Sequence, residues 1–200
     1  MKTRFPQAYV LNIMANDRPG IVAAVSGAIV ALEGNIDACS QTVLGGYFTQ
    51  ILVVSFPQAL EPEELARRVR QSSTAGGPLQ VLACPYIAPA PAAPRNKTDQ
   101  FVITAFGKDK PGIIHRFSQY LAGKDINIVD WHWDCAGEDF VLMAQVEIPE
   151  QLDTGLLQAD LDELGKEQGF NVRLQHENVF VATNQLRLTA APRGTLTHGV

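Results

Sequence analysis

Apolar residues in this chain change their period at regular intervals, and each change marks an element. Residues 9–14 form a short apolar run that predicts a buried strand, ended by the punctuation Asn16-Asp17-Arg18-Pro19-Gly20. From Pro19 the apolar positions Val22, Val25, Ile29 and Leu32 advance by three, four and three, which is the stripe of a helix. Proline is accepted in a first helical turn, where its missing N–H had no partner, and Gly34 is the residue type expected just past a helix end. Residues 36–43 and 47–56, separated by Gly45-Gly46, predict a β-hairpin. Glu61-Pro62-Glu63-Glu64 opens a second helix in which Arg67, Arg68 and Arg70 come last, an order that complements the helix dipole. Residues 79–83 predict a final strand.

The pattern then starts again. Asp17-Arg18-Pro19-Gly20-Ile21 with Asn35-Ile36 returns ninety-two positions later as Asp109-Lys110-Pro111-Gly112-Ile113 with Asn127-Ile128. Laying residues 9–57 over 101–149 needs no gap and gives 12 identities in 49 positions, enough to read the chain as a duplication rather than as a run of short repeats. The second copy predicts a strand over 101–106, a helix over 111–124, strands over 128–135 and 140–148, a helix over 153–168 with Leu156, Leu157, Leu161 and Leu164 on one side, and a strand over 170–174. Each half is therefore β-α-β-β-α-β. The fold class is α+β: two ferredoxin-like domains, each a four-stranded antiparallel sheet with two helices on one face. The predicted division is a first domain at 5–87, a Pro/Ala-rich linker at 88–98, a second domain at 99–177, and a C-terminal extension and tail at 178–200. Ala88-Pro89-Ala90-Pro91-Ala92-Ala93-Pro94 favours an extended spacer of about 20 Å at roughly 3.1 Å per residue. Residues 178–188 are compatible with an added strand or with a cover over a sheet edge.

Composition narrows the function classes. The 200 residues carry a formal net charge of -5, and no Lys/Arg stripe offsets it, so direct nucleic-acid binding is not expected. Cys39, Cys84 and Cys135 have no close spacing and leave an odd one over, which suits a reducing compartment and predicts inert, buried thiols. The apolar stretch after Lys2 and Arg4 is broken at Asn12 and ends at Asp17, too short for a secretory core, and no run approaches the roughly 20 residues of a membrane span. A cytoplasmic location follows as the expectation.

The candidate chemistry lies at the repeated strand-to-helix junctions. There the first N–H groups of a helix lack helical partners and the dipole favours negative charge, so Asp17, Gly20 and Ile21, and again Asp109, Gly112 and Ile113, surround a place where a small carboxylate can dock. Asn35 stands at the other end of the same helix, about 20 Å away for fourteen residues, and so serves a neighbour or no site at all. A helix opening and a helix ending explain the same residues without any ligand; the recurrence of the polar positions at equal spacing weighs on the side of a site. His115, His132, His176 and His198 show no metal-ligand spacing, and no metal or cofactor is expected. His115 is expected on an exposed helix face. Trp131 and Trp133 alternate with His132 along a strand and so share one sheet face, expected to pack against the other copy or a partner chain. Asp130 and Asp134 flank His132, but no nucleophile motif or cofactor fingerprint accompanies them.

At the Asp-x-Pro-Gly-Ile and Asn-Ile positions both copies resemble the ACT domain family, and the resemblance covers nearly the whole chain. Tandem chains of this length are similar to glycine cleavage system regulatory (transcriptional repressor) proteins, and Asn127-Ile128-Val129-Asp130 with His132 and Asp134 resembles the ACT domain of formyltetrahydrofolate deformylase. The resemblance implies a non-enzymatic sensor of a small amino acid, glycine or a relative, held where two ACT domains lie side by side. By position it implies that Asp17 and Asp109 hold the ligand's amino group, that the N–H groups at Gly20-Ile21 and Gly112-Ile113 hold its carboxylate, and that Asn35-Ile36 and Asn127-Ile128 contribute from the opposite domain. Two crossed sites follow, one of Asp17, Gly20, Ile21 and Asn127, the other of Asp109, Gly112, Ile113 and Asn35. Serine-sensing relatives carry a histidine two positions before the aspartate, where this chain has Ala15 and Gly107. Arg18 and Lys110 add positive charge at each entrance and are expected to steer a ligand rather than bind it. A protein partner and a homodimer are expected, without nucleic acid or membrane. The alternatives are a structural adaptor that pairs with other ACT proteins through free sheet edges, and a formyltetrahydrofolate hydrolase relative, for which no catalytic domain is left over.

Overall fold

A computed structural model of the chain describes residues 2–72, 77–88 and 97–182. It contains two compact units, Met1–Pro91 and Ala92–Val200. The first consists of β1 (Gln7–Asn16), α1 (Ile21–Ala31), β2 (Asn35–Leu44), β3 (Tyr47–Phe56), α2 (Pro62–Gln71) and β4 (Gln80–Pro85). Its sheet runs β2-β3-β1-β4 with every neighbour antiparallel. The second consists of β5 (Thr98–Lys108), α3 (Ile113–Gly123), β6 (Asn127–Ala136), β7 (Asp139–Pro149), α4 (Thr154–Gln168) and β8 (Phe170–His176), with sheet order β6-β7-β5-β8. Both are the β-α-β-β-α-β arrangement that the periodicity predicts.

Strand alternation decides which face carries the core. In β1, Tyr9, Leu11, Ile13 and Ala15 are buried while Asn12 and Met14 are exposed, so the helices cover one face only. Ile21, Val25 and Ile29 of α1 and Leu65 and Val69 of α2 close that face over Phe48, Leu52, Val54 and Phe56. The second unit repeats this with Ile113, Phe117 and Leu121 of α3 and Leu157 and Leu161 of α4 over Phe140, Leu142, Ala144 and Val146.

Several expectations are corrected by this packing. The stripe of α1 begins at Ile21 and advances by fours; Val22 is 45% exposed, and Pro19 and Gly20 belong to the turn before the helix. In α4, Leu156 is 68% exposed and Gly165 takes its place in the buried row. All three cysteines are exposed rather than buried, because Cys39 and Cys135 lie on the edge strands β2 and β6 and Cys84 near the end of the edge strand β4. Residues 177–182 are helical rather than a further strand. The rest of that segment, and the spacer motif from Pro89 on, lie outside the described residues.

In α2 the acids-first order gives exposed pairs. Arg67 and Arg68 both donate to Glu64, at 2.6 and 2.8 Å, and these bonds hold its carboxyl at about 2, well below the usual range. Arg70 pairs with Glu63.

Candidate functional site

The duplication is also a duplication of backbone detail at the predicted site. Gly20 caps α1 at φ 94°, and Gly112 caps α3 at φ 95°, a left-handed conformation that a side chain adopts only with strain. The amide of Asp17 donates to the Gly46 carbonyl and that of Asp109 to the Glu138 carbonyl, each at 2.8 Å, so each loop is fixed to the turn of its own hairpin. No described side chain caps α1 or α3, and neither has an acidic residue in its first turn. By contrast the Asp153 carboxylate accepts from the Gly155 and Leu156 amides at the start of α4. Ile21 and Ile113 bury their side chains, at 3% and 2% exposure, so only their backbone faces the loop, and the Ile113 N–H donates to the Lys110 carbonyl at 3.4 Å.

The basic residues act differently from the expectation. Arg18 donates from Nη1 to the Asn16 carbonyl at 3.0 Å and from Nη2 to the Gly77 carbonyl at 2.7 Å. Lys110 donates from Nζ to the Gln168 carbonyl at 3.0 Å, at the C-terminus of α4. Each cation therefore braces its loop against the chain that leads into the last strand of its unit, and for Lys110 the partner is a carbonyl at a helix C-terminus, which favours positive charge.

In the second unit the loop opens onto a recess of about 650 Å³, lined by Asp109, Lys110, Pro111, Gly112, Ile113, Ile114, His115, Ser118 and Trp133. Three of the predicted residues, Asp109, Gly112 and Ile113, thus face a common space with their neighbours, and His115, Ser118 and Trp133 join them from α3 and β6. The sequence held a signal for one of these, since Ser118 repeats Ser26, and both hydroxyls donate to the carbonyl three residues back. His115 is exposed as expected. Trp133 departs from expectation: it stacks on Phe140 of its own unit, centroids 4.3 Å apart and planes within 5°, while Trp131 meets Phe117 edge-on at 5.6 Å. The indole N–H of Trp133 donates to Cys135 Sγ at 3.1 Å, and that thiol lies 3.7 Å from Asp109 Oδ2. In the first unit a cavity of about 110 Å³ touches the loop through Arg18 but takes in neither Asp17, Gly20 nor Ile21.

The asparagines are held apart from these loops within each unit. Register pairs Asn16 with Tyr47 and Asn35 with Ser55, eight residues further along β3, which is about 26 Å at 3.3 Å per residue. Lys108 with Asp139 and Asn127 with Glu147 repeat that separation in β7. Asn35 donates from Nδ2 to Asp37 Oδ1 at 2.8 Å, and Asn127 from Nδ2 to Glu147 Oε2 at 3.1 Å. Ile36 and Ile128 pack against the cores of their own units.

Asp37 sits at the bulge of β2, where its Oδ1 accepts from the Arg4 amide and the Asn35 side chain and its Oδ2 is buried without a hydrogen-bond partner among the described residues. Burial pushes its carboxyl up, but its hydrogen bonds and the charge of Arg4 outweigh it and hold the pKa below the ordinary carboxylate range. A depressed folded pKa contributes stability that is present above the unfolded value and lost as pH falls through the folded one. Asp37→Asn is therefore expected to lower stability at pH 6 by about 1–2 kcal/mol and to flatten the loss between pH 4 and pH 2. Urea denaturation of both proteins at each pH checks this, and parallel curves would remove Asp37 from the account.

Comparison with known proteins places this geometry. The ACT domain family model matches residues 99–175. A UPF0237 protein of Methanosarcina acetivorans is 34% identical over 84 residues, 42% of this chain and 91% of the relative. One of Methanococcus maripaludis is 36% identical over 83 residues, 41% of this chain and 92% of the relative. Among solved structures, a protein of Galdieria sulphuraria superposes with a TM-score of 0.67 at 24% identity, over 85% of this chain and 98% of the other. A candidate glycine cleavage system transcriptional repressor gives 0.58 at 18% identity, over 84% and 96%. Those two likenesses bear on the fold. Among the described residues no helix is long and apolar enough to cross a membrane, and no three potential metal ligands cluster. With the family model lying on the second unit and the same loop geometry in both units, the chain belongs to the ACT domain family.

Proposed function

We propose that this chain is a non-enzymatic regulatory protein that binds a small amino acid at its β1–α1 and β5–α3 loops and acts through a protein partner, with control of glycine cleavage as the process. The observation that carries this reading is the repeated helix start: a left-handed glycine, N–H groups with no side-chain cap, and an aspartate beside them. Such a start attracts a carboxylate, and an adjacent carboxylate attracts an ammonium group, so the pair suits a zwitterion. The recess at Asp109, Gly112 and Ile113 has room for one. The asparagines are about 26 Å from the loop of their own unit, and their role is proposed for a site completed by another ACT unit. A free energy of about 4 to 8 kcal/mol, that of millimolar to micromolar binding, is enough to bias a two-state partner.

Melting temperature measured against each of the twenty amino acids is the test. A ligand at a hundredfold excess over its Kd should add about 2.7 kcal/mol of stability, and Asp109→Asn should weaken that ligand at least tenfold. Absence of any concentration-dependent shift would end the sensor reading. It would favour instead an adaptor that pairs through sheet edges, for which residues 38–44 of the edge strand β2 lie exposed.

A further inference from the structure

The two units share a loop backbone but not the side chains beside it. In the second, the Trp133 indole N–H donates to Cys135 Sγ at 3.1 Å, and the Cys135 thiol donates in turn to Asp109 Oδ2 at 3.7 Å. Trp133 is itself fixed by its stack on the buried ring of Phe140. Ring, indole, thiol and carboxylate thus form one chain that runs from the core to the recess, which Trp133 and Asp109 both line. His115 lines it as well, from the first turn of α3.

Ninety-two positions earlier, Gln41, Val43 and Ala23 stand in the places of Trp133, Cys135 and His115. Phe48 keeps the place of Phe140 and is equally buried, so the support remains while the chain built on it is gone. An isopropyl group neither donates nor accepts, so position 43 cannot hold Asp17 as position 135 holds Asp109. Ala23 offers a ligand only a methyl group where His115 offers a ring nitrogen. The first-unit cavity of about 110 Å³ meets the loop at Arg18, whereas the recess of about 650 Å³ takes in the aspartate and the helix start together.

Resting on the amino-acid reading above, we infer that the loop of the second unit is the stronger of the two receptors and fills first, with Cys135 as the positioning residue that holds the Asp109 carboxylate at the recess. A carboxylate already held by a neighbour loses less freedom when an ammonium group arrives, and that difference appears as affinity. The thiol can serve in this way because it accepts from the indole and donates to the carboxylate at once.

Calorimetric titration of the full chain with each of the twenty amino acids, run beside tryptophan emission, is the test, since both tryptophans stand in β6 and report on the second unit. For an amino acid that binds, the tighter phase should carry the emission change. Asp109→Asn should weaken that phase by about tenfold, and Asp17→Asn should act on the weaker one. Cys135→Val installs the residue found at position 43, and Trp133→Phe keeps a ring over Phe140 while removing the indole N–H. Each is expected to weaken the tighter phase about threefold, the scale of one weak hydrogen bond. Cys135→Ser, which keeps a donor and an acceptor, should stay within about twofold of the parent chain. A single phase that depends on Asp109 supports the inference equally. A tighter phase that answers to Asp17→Asn, two phases of equal strength, Cys135→Val binding as the parent does, or Cys135→Ser binding as weakly as Cys135→Val would overturn it and leave the sensor reading in place. Binding by none of the twenty would remove both.

Discussion

Gly107→Val is expected to unfold the second unit's sheet at its β5–β8 seam, at a cost of about 3 kcal/mol or more. A Cβ at position 107 would stand 2.7 Å from Phe170 Cα and 2.8 Å from the Gly169 carbonyl oxygen. Both are backbone atoms of the chain paired to Gly107 in register, so no side-chain rotation relieves the overlap. Both tryptophans of the chain, Trp131 and Trp133, lie in β6, which makes their fluorescence a reporter of this unit. The urea midpoint read from that signal should fall steeply, and an unchanged midpoint would mean that β8 does not pack as described.

The second large effect is expected from Phe140→Ala. Phe140 is 1% exposed and holds three things at once: the core under α3, the face of Trp133, and the edge of Phe170 at 5.7 Å. Removing a buried phenyl ring costs about 3–5 kcal/mol through lost transfer energy and the cavity left behind, a large part of the 5–15 kcal/mol typical of a whole domain. Because Trp133 loses the ring it stacks on, its emission should shift in the native state even before denaturant is added. A variant with parent-like emission and midpoint would contradict the stacked geometry.

Much of the fold was legible because the chain states it twice. The hairpin turns, the helix-opening Pro-Gly and the order of elements follow from period and punctuation, and the offset of ninety-two carries down to Glu33 and Asp125, both at φ 58°. Strand ends ran longer than the apolar runs, as with Gln7–Asn16 against 9–14, because backbone pairing continues after burial has stopped. Exposure of the cysteines was missed because edge position is a property of strand order, which apolar alternation does not encode. Gly20 and Gly112 were legible as the left-handed starts of uncapped helices because that conformation leaves a trace in residue type. His115 and Ser118 were not recognised as lining residues, since which face of α3 borders a recess depends on the curvature of β6 against it.

The braces at Arg18 and Lys110 bear on how occupancy is felt elsewhere. Each cation spans from its loop to the segment feeding the outermost strand of its sheet, ending on the carbonyls of Gly77 and Gln168. Whatever displaces such a side chain releases a grip on that strand's approach, so chemistry at the mouth is wired to the margin where a sheet can be extended by another chain.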